Sequence, residues 1–211
     1  MTPEILFEND NIIVCIKPAG ITSEDSVKAG MPTLLETDGK KPYVVHRLDK
    51  EVSGVMVFAK TSVAAAKLSK QISNGLFKKQ YVAIVEGEAE HEARLEDLLF
   101  HDRRLNKTYV VKRQRNGVKK AALKYICTGI SEFDGKRLSF LNIDLETGRT
   151  HQIRVQFASR KMPIVGDRKY GSSFSGAVAL MSKSVSFINP ENNKQIEFSL
   201  TIPDTFPWNI F

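Results

Sequence analysis

One carboxylate with a neighbouring arginine is the part of this sequence best suited to chemistry. Asp49 ends the polar run His46-Arg47-Leu48-Asp49, which separates two apolar segments. An aspartate beside an arginine stays ionised well below its reference pKa of about 3.9, and an ionised carboxylate suits a nucleophile or a base. A lone aspartate after a strand is more often a turn residue, so the surrounding motifs must decide between the two interpretations.

Two arginines, Arg149 and Arg154, lie at the predicted start of a helix. Thr150 is expected to cap this helix, and Ile153 is expected to face the core. Because Arg154 follows Ile153 directly, it can point inward more readily than an arginine in the middle of an exposed helix. Arg149 precedes the cap, where its guanidinium and the free N–H groups of the helix start favour a phosphate.

Tyr81 follows the basic and polar run Lys78-Lys79-Gln80. Alternation with a period of two predicts a strand over residues 79–87, and an aromatic side chain on a strand usually packs into the core. A tyrosine at the edge of a basic cleft can instead stack on a nucleobase. Both interpretations of Tyr81 stay open on the residues alone.

Residues 107–124 contain seven basic side chains and no acidic one. Near their middle, Asn116-Gly117 predicts a hairpin turn. The segment is then either a solvated hairpin or a basic arm that lies along a phosphate backbone. Since nothing nearby in the sequence balances the charge, the arm is slightly favoured, with phosphate contacts expected from Lys112, Arg113 and Arg115.

Short apolar runs and one capped helix are predicted around these side chains. The predicted strands cover residues 12–16, 55–59 and 138–145. A helix is predicted from a cap at Thr61 or Ser62 to about Asn74, with Gly75 as its stop signal, and residues 21–42 are predicted to form a surface loop. Strands and helices alternate without a regular βαβ rhythm, which favours an α+β fold with a mixed sheet over a doubly wound fold.

The composition is that of a basic globular protein. The 31 Lys and Arg residues exceed the 24 Asp and Glu residues, and the net charge of +7 favours a polyanionic partner, nucleic acid before a membrane. One domain over residues 1–211 is expected. Cys15 and Cys127 do not suggest a disulfide framework, and no signal peptide is recognisable, so a cytoplasmic location is expected.

Several ordered motifs run along nearly the whole chain. They are Val14–Gly20, His46–Asp49 with Ser53-Gly54, Tyr81–Gly87, Thr147–Arg154, Pro163–Asp167 and Tyr170-Gly171. In their order and length they resemble the RluA-like family of pseudouridine synthases, the large-subunit-rRNA and tRNA type. The motifs begin almost at once, so no S4-like RNA-binding module is expected ahead of them.

The resemblance implies the isomerisation of uridine to pseudouridine in tRNA or rRNA. It also implies the pseudouridine synthase fold, a long, mixed, mainly antiparallel sheet with flanking helices and a central RNA-binding cleft. Asp49 would be the catalytic aspartate, Tyr81 would pack on the target base, and Arg154 would pair with the aspartate. Arg47 matches the arginine that fills the gap left by a flipped nucleotide. The other RNA contacts that we expect are His46, Arg149, Lys112, Arg113 and Arg115.

Chemistry without a cofactor or a metal is expected, because the sequence contains no phosphate-binding glycine loop and no spacing typical of metal ligands. Whether Asp49 attacks the uridine or removes a proton from it stays open, and a monomer is favoured. Two rival hypotheses fit the same charge. One is a non-catalytic RNA-binding protein on the same fold, and the other is a hydrolase of N-glycosidic bonds that would release uracil.

Overall fold

The computed structural model describes residues 3–211. In this range the strands are β1 (Glu4–Glu8), β2 (Ile12–Lys17), β3 (Tyr43–Val44), β4 (Ser53–Ala59), β5 (Lys78–Glu86), β6 (Glu92–Asp102), β7 (Lys107–Val111), β8 (Val118–Phe133), β9 (Lys136–Leu145), β10 (Leu180–Ile188) and β11 (Gln195–Ser199). The helices are α1 (Met31–Leu34), α2 (Ser62–Ser73) and α3 (Gln152–Ala158), with 3₁₀ turns at Arg168–Tyr170 and Trp208–Ile210. Strands β4 and β10 pair in parallel, whereas β2 pairs antiparallel with β1 and β4 and β8 pairs antiparallel with β6 and β9, so the prediction of an α+β fold with a mixed, mainly antiparallel sheet is confirmed.

The chain is organised as two compact units. The first unit comprises Met1–Gln80 and Met181–Thr201, and the second comprises Tyr81–Leu180 and Ile202–Phe211. The chain enters the second unit within β5 and leaves it within β10. One catalytic domain over residues 1–211 stays a prediction.

In the first unit, β2 pairs with β1 and β4, β3 pairs with β4, and β11 pairs with β10. The parallel pair joins β4 to β10, with Gly54 opposite Ser182. Gly54 has a φ of +127°, and a Cβ atom there would lie 2.3 Å from the carbonyl oxygen of Ser182. Only glycine therefore allows this approach of the two strands.

The predicted helix over residues 61–74 is confirmed as α2. The Thr61 hydroxyl accepts a hydrogen bond from the N–H of Ala64 at 3.1 Å, and Gly75 follows the helix with a φ of +68°. Ala64 and Leu68 of α2 pack on apolar side chains of β2 and β4. The predicted strand over residues 12–16 is likewise confirmed as β2.

In the second unit the strand order is β5-β9-β8-β6-β7. The hairpin predicted at Asn116-Gly117 is wrong, because β7 and β8 do not pair with each other. Both pair with β6, which lies between them, so residues 112–117 cross over β6. The guanidinium of Arg115 lies 4.8 Å from the ring centroid of Phe100 on that central strand.

The cap predicted at Thr150 is also wrong. Helix α3 begins at Gln152, and the residue before it, His151, has a φ of +53° and makes no side-chain cap. The Gln152 side chain organises this helix start instead, because its carbonyl oxygen accepts hydrogen bonds from the Arg149 N–H at 3.0 Å and the Thr147 hydroxyl at 2.7 Å. The Gln152 side chain thus holds the backbone at the point where the chain enters α3.

Candidate active site

Asp49 lies in the loop that joins β3 to β4 in the first unit. The two strands pair antiparallel, so residues 45–52 reverse the chain. Within that reversal the N–H of Val52 donates to the carbonyl of Asp49 at 3.1 Å. Leu48 and Val52 are buried while the Asp49 side chain is partly exposed. The loop therefore buries the apolar residues on either side of Asp49, while Asp49 itself is only partly buried.

The buried ammonium of Lys17 supports this loop. Its side chain is 0% exposed, and Nζ donates to the carbonyls of Pro18 at 2.8 Å, Ile21 at 2.7 Å and Lys50 at 3.2 Å. Burial lowers the pKa of Lys17 from 10.5 to about 8, while the charges of Asp49 and Glu51 oppose that shift. All three ammonium hydrogens are therefore satisfied by backbone oxygens, one of which belongs to the residue after Asp49.

His46 is buried in the same loop. Its Nε2 accepts a hydrogen bond from the N–H of Val57 at 3.0 Å, and its ring centroid lies 5.1 Å from that of Phe77. Burial, with a contribution from the charge of Lys79, lowers the pKa of His46 to about 3, so the ring is neutral at pH 7. An RNA contact by His46 stays a prediction. The observed bonds favour a role in placing the loop.

Arg47 points away from the buried residues of the loop. Its side chain is 59% exposed and pairs with Glu24 at 2.9 Å. An exposed ion pair of this kind stabilises a protein by about 1 kcal/mol or less. Arg47 can therefore leave Glu24 for another anionic partner at little cost.

Arg154, the predicted partner of Asp49, lies on α3 in the second unit. Its side chain is 2% exposed, Nε donates to Oδ2 of Asp167 at 2.6 Å, and Nη2 donates to Oδ1 at 2.9 Å. The ring centroid of Tyr170 lies 5.2 Å from the guanidinium carbon. Asp167 therefore determines the plane of the guanidinium, and Tyr170 packs on its face. The predicted inward orientation of Arg154 is confirmed.

Tyr170 is itself held by a buried network at the start of α3. Its hydroxyl accepts a hydrogen bond from the N–H of Thr108 at 2.8 Å and lies 2.9 Å from Nδ1 of His151. The Thr108 hydroxyl in turn donates to the carbonyl of Thr150 at 2.8 Å. The segment that leads into α3 is thus bonded to β7.

Sequence reasoning missed the roles of Asp167 and Tyr170. Both lie in the motifs Pro163–Asp167 and Tyr170-Gly171, but the types of these residues do not reveal a partner. The pairing of Asp167 with Arg154 joins residues 13 positions apart through the fold. One signal could have indicated the pair: Asp167 lies in the next motif along the chain after Arg154, and an arginine that points inward needs an acidic partner.

Tyr81 lies on β5, and the predicted strand is confirmed. The alternation did not predict that both faces of this strand would be covered: Tyr81, Val82, Ala83, Ile84 and Val85 are all buried. Packing of Tyr81 on a target base stays a prediction.

The predicted phosphate-binding residues of the second unit are exposed. Arg149 donates through Nε to the carbonyl of Lys120 at 3.0 Å, which directs its side chain along β8. Lys112, Arg113 and Arg115 lie on the segment that crosses β6. The longer basic segment, residues 107–124, does have an acidic partner in the fold, because Nζ of Lys124 lies 3.8 Å from the Glu146 carboxylate.

Neither metal ligands nor membrane spans stand out in the part of the chain that the structure describes. Within residues 3–211 no group of three His, Cys, Asp or Glu side chains is arranged to hold a metal ion. Along the same residues, no helix has the length and apolar character that crossing a bilayer requires.

Comparison with known proteins identifies the family. Residues 11–159 match the family model described as RNA pseudouridylate synthase, and this segment includes Asp49, Tyr81 and Arg154. The chain belongs to this family. The predicted family is thereby confirmed.

Two bacterial members of the pseudouridine synthase family illustrate the similarity. The ribosomal large subunit pseudouridine synthase D of Neisseria meningitidis (serogroup A / serotype 4A, strain DSM 15465 / Z2491) is 30% identical over 232 residues, which cover 97% of this chain and 59% of that protein. The uncharacterized RNA pseudouridine synthase YhcT of Bacillus subtilis (strain 168) is 32% identical over 212 residues, covering 95% of this chain and 68% of that protein. The chain thus spans about three-fifths of the length of the first relative.

Solved structures of human family members share the fold. Human RNA pseudouridylate synthase domain containing 1 matches with a TM-score of 0.81 at 19% identity, over 97% of this chain and 85% of that chain. Human RNA pseudouridylate synthase domain containing 4 matches with a TM-score of 0.75 at 20% identity, over 95% of this chain and 88% of that chain. The predicted pseudouridine synthase fold is confirmed.

Proposed function

We propose that this protein isomerises uridine to pseudouridine in RNA, with Asp49 as the catalytic residue and without a cofactor or a metal. The observation that carries the proposal is the family match of residues 11–159, in which Asp49, Tyr81 and Arg154 are all present. The placement of Asp49 on a supported loop and of Arg154 in a buried ion pair agrees with it. Both units are proposed to belong to one catalytic domain.

The reaction exchanges one glycosidic bond for another. The bond from N1 of uracil to C1′ of ribose breaks, the base reorients, and C5 bonds to C1′. C5 loses a proton and N1 gains one, so the product has the same formula as the substrate. In the proposed mechanism the Asp49 carboxylate either attacks the flipped uridine or removes a proton from its ribose or base. Either route needs an ionised carboxylate at an accessible position.

Arg154 is proposed to pair with the Asp49 carboxylate, as the family resemblance implies. A guanidinium has two edges that can hold a carboxylate, and Asp167 occupies the edge formed by Nε and Nη2. Because this pair is buried, Asp167 holds the arginine in one orientation before RNA binds. Asp167 is therefore proposed as a positioning residue that acts through Arg154.

RNA is proposed to bind through exposed basic side chains together with the buried residues Tyr81 and His46. Arg47 would occupy the space of the flipped nucleotide, Tyr81 would pack on the target base, and Arg149, Lys112, Arg113 and Arg115 would contact phosphates. His46 is retained among the proposed RNA-binding residues, although its burial favours a supporting role. Since one relative is named for the ribosomal large subunit, rRNA is the first RNA to test and tRNA is the second. A cytoplasmic monomer is proposed.

The decisive experiment incubates unmodified rRNA and tRNA transcripts with wild type and with Asp49→Asn, followed by chromatography of the digested nucleosides. We expect pseudouridine from wild type alone and unchanged RNA binding by the variant. Turnover by Asp49→Asn would remove Asp49 from the catalytic role. Free uracil would identify a hydrolase, and wild-type binding without any product would support a non-catalytic RNA-binding protein.

A further inference from the structure

Ser23 makes an unusual pair of contacts with the backbone beside Asp49. Its side chain is buried, with 4% exposure, in the loop that follows β2. The hydroxyl oxygen accepts a hydrogen bond from the N–H of Leu48 at 2.9 Å and lies 2.7 Å from the carbonyl oxygen of the same residue. One side chain therefore contacts both backbone polar groups of the residue immediately before Asp49.

The direction of these bonds follows from the atoms involved. A backbone N–H can only donate and a carbonyl oxygen can only accept, so the Ser23 hydroxyl accepts from Leu48 and donates back to it. Sδ of Met56 lies 3.4 Å from the same hydroxyl, but a carbonyl at 2.7 Å is the stronger acceptor for its single hydrogen. Few side chains other than serine and threonine can make both bonds at once.

These bonds act on the peptide that joins Leu48 to Asp49. The carbonyl of Leu48 and the N–H of Asp49 belong to one planar group, so fixing that carbonyl restricts the direction in which the Asp49 side chain leaves the backbone. On the other side, the carbonyl of Lys50 accepts hydrogen bonds from Gly20 at 2.7 Å and from Lys17 at 3.2 Å. Residues 17–23 thus hold the backbone on both sides of Asp49.

We infer that Ser23 is a positioning residue for the reaction, acting by fixing the peptide that carries Asp49. This inference rests on the proposed function, since it gives the reaction a residue that does not touch the substrate. A displacement of about 1 Å at a reacting group can reduce a rate roughly 100-fold. Loss of the Ser23 hydroxyl should therefore slow the chemical step far more than it weakens RNA binding.

Ser139 provides a matched control in the second unit. It is buried, its hydroxyl accepts from the N–H of Ala89 at 2.9 Å, and it donates to the carbonyl of Gly87 at 2.8 Å. Ser23→Ala and Ser139→Ala therefore each remove one accepted and one donated hydrogen bond between a buried hydroxyl and the backbone. Only the backbone that Ser23 contacts leads into Asp49.

The test measures single-turnover rate constants with enzyme in saturating excess over RNA, together with the dissociation constant for RNA. We expect Ser23→Ala to lower the rate constant by about 10- to 100-fold while the dissociation constant changes less than about 3-fold. Ser139→Ala should keep the wild-type rate constant, and Ser23→Thr, which retains the hydroxyl, should recover most of the rate. Equal rate constants for the two alanine variants would overturn the inference. If Ser23→Ala does not fold, Ser23→Cys replaces it, because a thiol is only a weak donor and acceptor.

Amide hydrogen exchange tests the inference independently of catalysis. Ser23→Ala should accelerate exchange in residues 46–52, and Ser139→Ala should accelerate it in residues 87–89 instead. Unchanged protection of residues 46–52 would show that Ser23 does not hold the loop. Absence of pseudouridine from wild type would defeat the proposed function. If Asp49→Asn is inactive and Ser23→Ala is fully active, only the role of Ser23 fails.

Discussion

The loop of Asp49 and the helix of Arg154 hold their side chains in different ways. Around Asp49, the supporting bonds from Lys17, Gly20 and Ser23 all reach backbone atoms. Around Arg154, the support comes from the Asp167 carboxylate and reaches the side chain itself. A helix already fixes its own backbone, so only the guanidinium needs orienting. An irregular loop has no internal ladder of hydrogen bonds, so its backbone must be fixed by other residues before it can aim a side chain.

Removal of the carboxylate that holds Arg154 should have the largest effect on stability. Asp167→Asn removes the negative charge that holds the buried guanidinium through two hydrogen bonds, and breaking a buried ion pair in this way costs about 3 to 5 kcal/mol of the free energy of unfolding. Urea denaturation measures this loss. The control is Asp97→Asn, which breaks the more exposed pair of Asp97 with Arg160 (2.9 Å apart) and should cost about 1 to 2 kcal/mol. If both variants lose similar amounts of the free energy of unfolding, burial of the Arg154–Asp167 pair does not make the loss of its carboxylate more costly.

A smaller, pH-dependent effect is expected at Lys17. The unfolded chain keeps the proton of this lysine up to its ordinary pKa of 10.5, whereas the folded protein releases it above about 8. Between these values the unfolded state binds more protons, so the free energy of unfolding of wild type should gain up to about 1.4 kcal/mol per pH unit from this residue. Lys17→Met should lack that gain.

Urea denaturation at pH 7.5, 8.5 and 9.5 measures the Lys17 effect. Lys67→Met is the control, because Lys67 is exposed and its Nζ also donates to a backbone carbonyl, that of Pro190, at 2.8 Å. Lys67→Met shows how much stability is lost when a lysine loses a hydrogen bond to a backbone carbonyl without the loss of a buried charge. Parallel pH profiles for wild type and Lys17→Met would contradict the assignment of the lowered pKa to Lys17.

A second pH-dependent effect on stability is expected at His46, in the acidic range. The pKa of His46 falls from 6.5 in the unfolded chain to about 3 in the folded protein, so acidification below 6.5 protonates the unfolded state first. Stability contributed by neutral His46 is present above pH 6.5 and decreases toward pH 3, by up to about 1.4 kcal/mol per unit. His46→Gln keeps an acceptor for the Val57 N–H without titrating. Its stability deficit relative to wild type at pH 7.5 should therefore narrow at pH 5, and a constant deficit would contradict the prediction.

Local signals predicted the elements of this fold well. Thr61 and Gly75 bound α2 as a cap and a stop signal, and the apolar run after Asn11 is strand β2. Two predictions from local signals were wrong, the hairpin at Asn116-Gly117 and the cap at Thr150, and residues 21–42, predicted to be a surface loop, contain the short helix α1 with Met31 buried. Strand β6 pairs with both β7 and β8 and so separates them, and at the start of α3 the Gln152 side chain bonds to Arg149 and Thr147 while no side-chain cap forms.

The sequence by itself determined the family, the order of most elements and the identity of Asp49, Tyr81 and Arg154 as candidates, because motifs, caps and periodicity are properties of neighbouring residues. Only the tertiary structure decided how these candidates are held. Ser23 meets Leu48 across 25 positions, and Asp167 meets Arg154 across 13. Bonds of this kind depend on where loops close and on which polar groups burial leaves in need of a partner. No pattern of neighbouring residues contains that information.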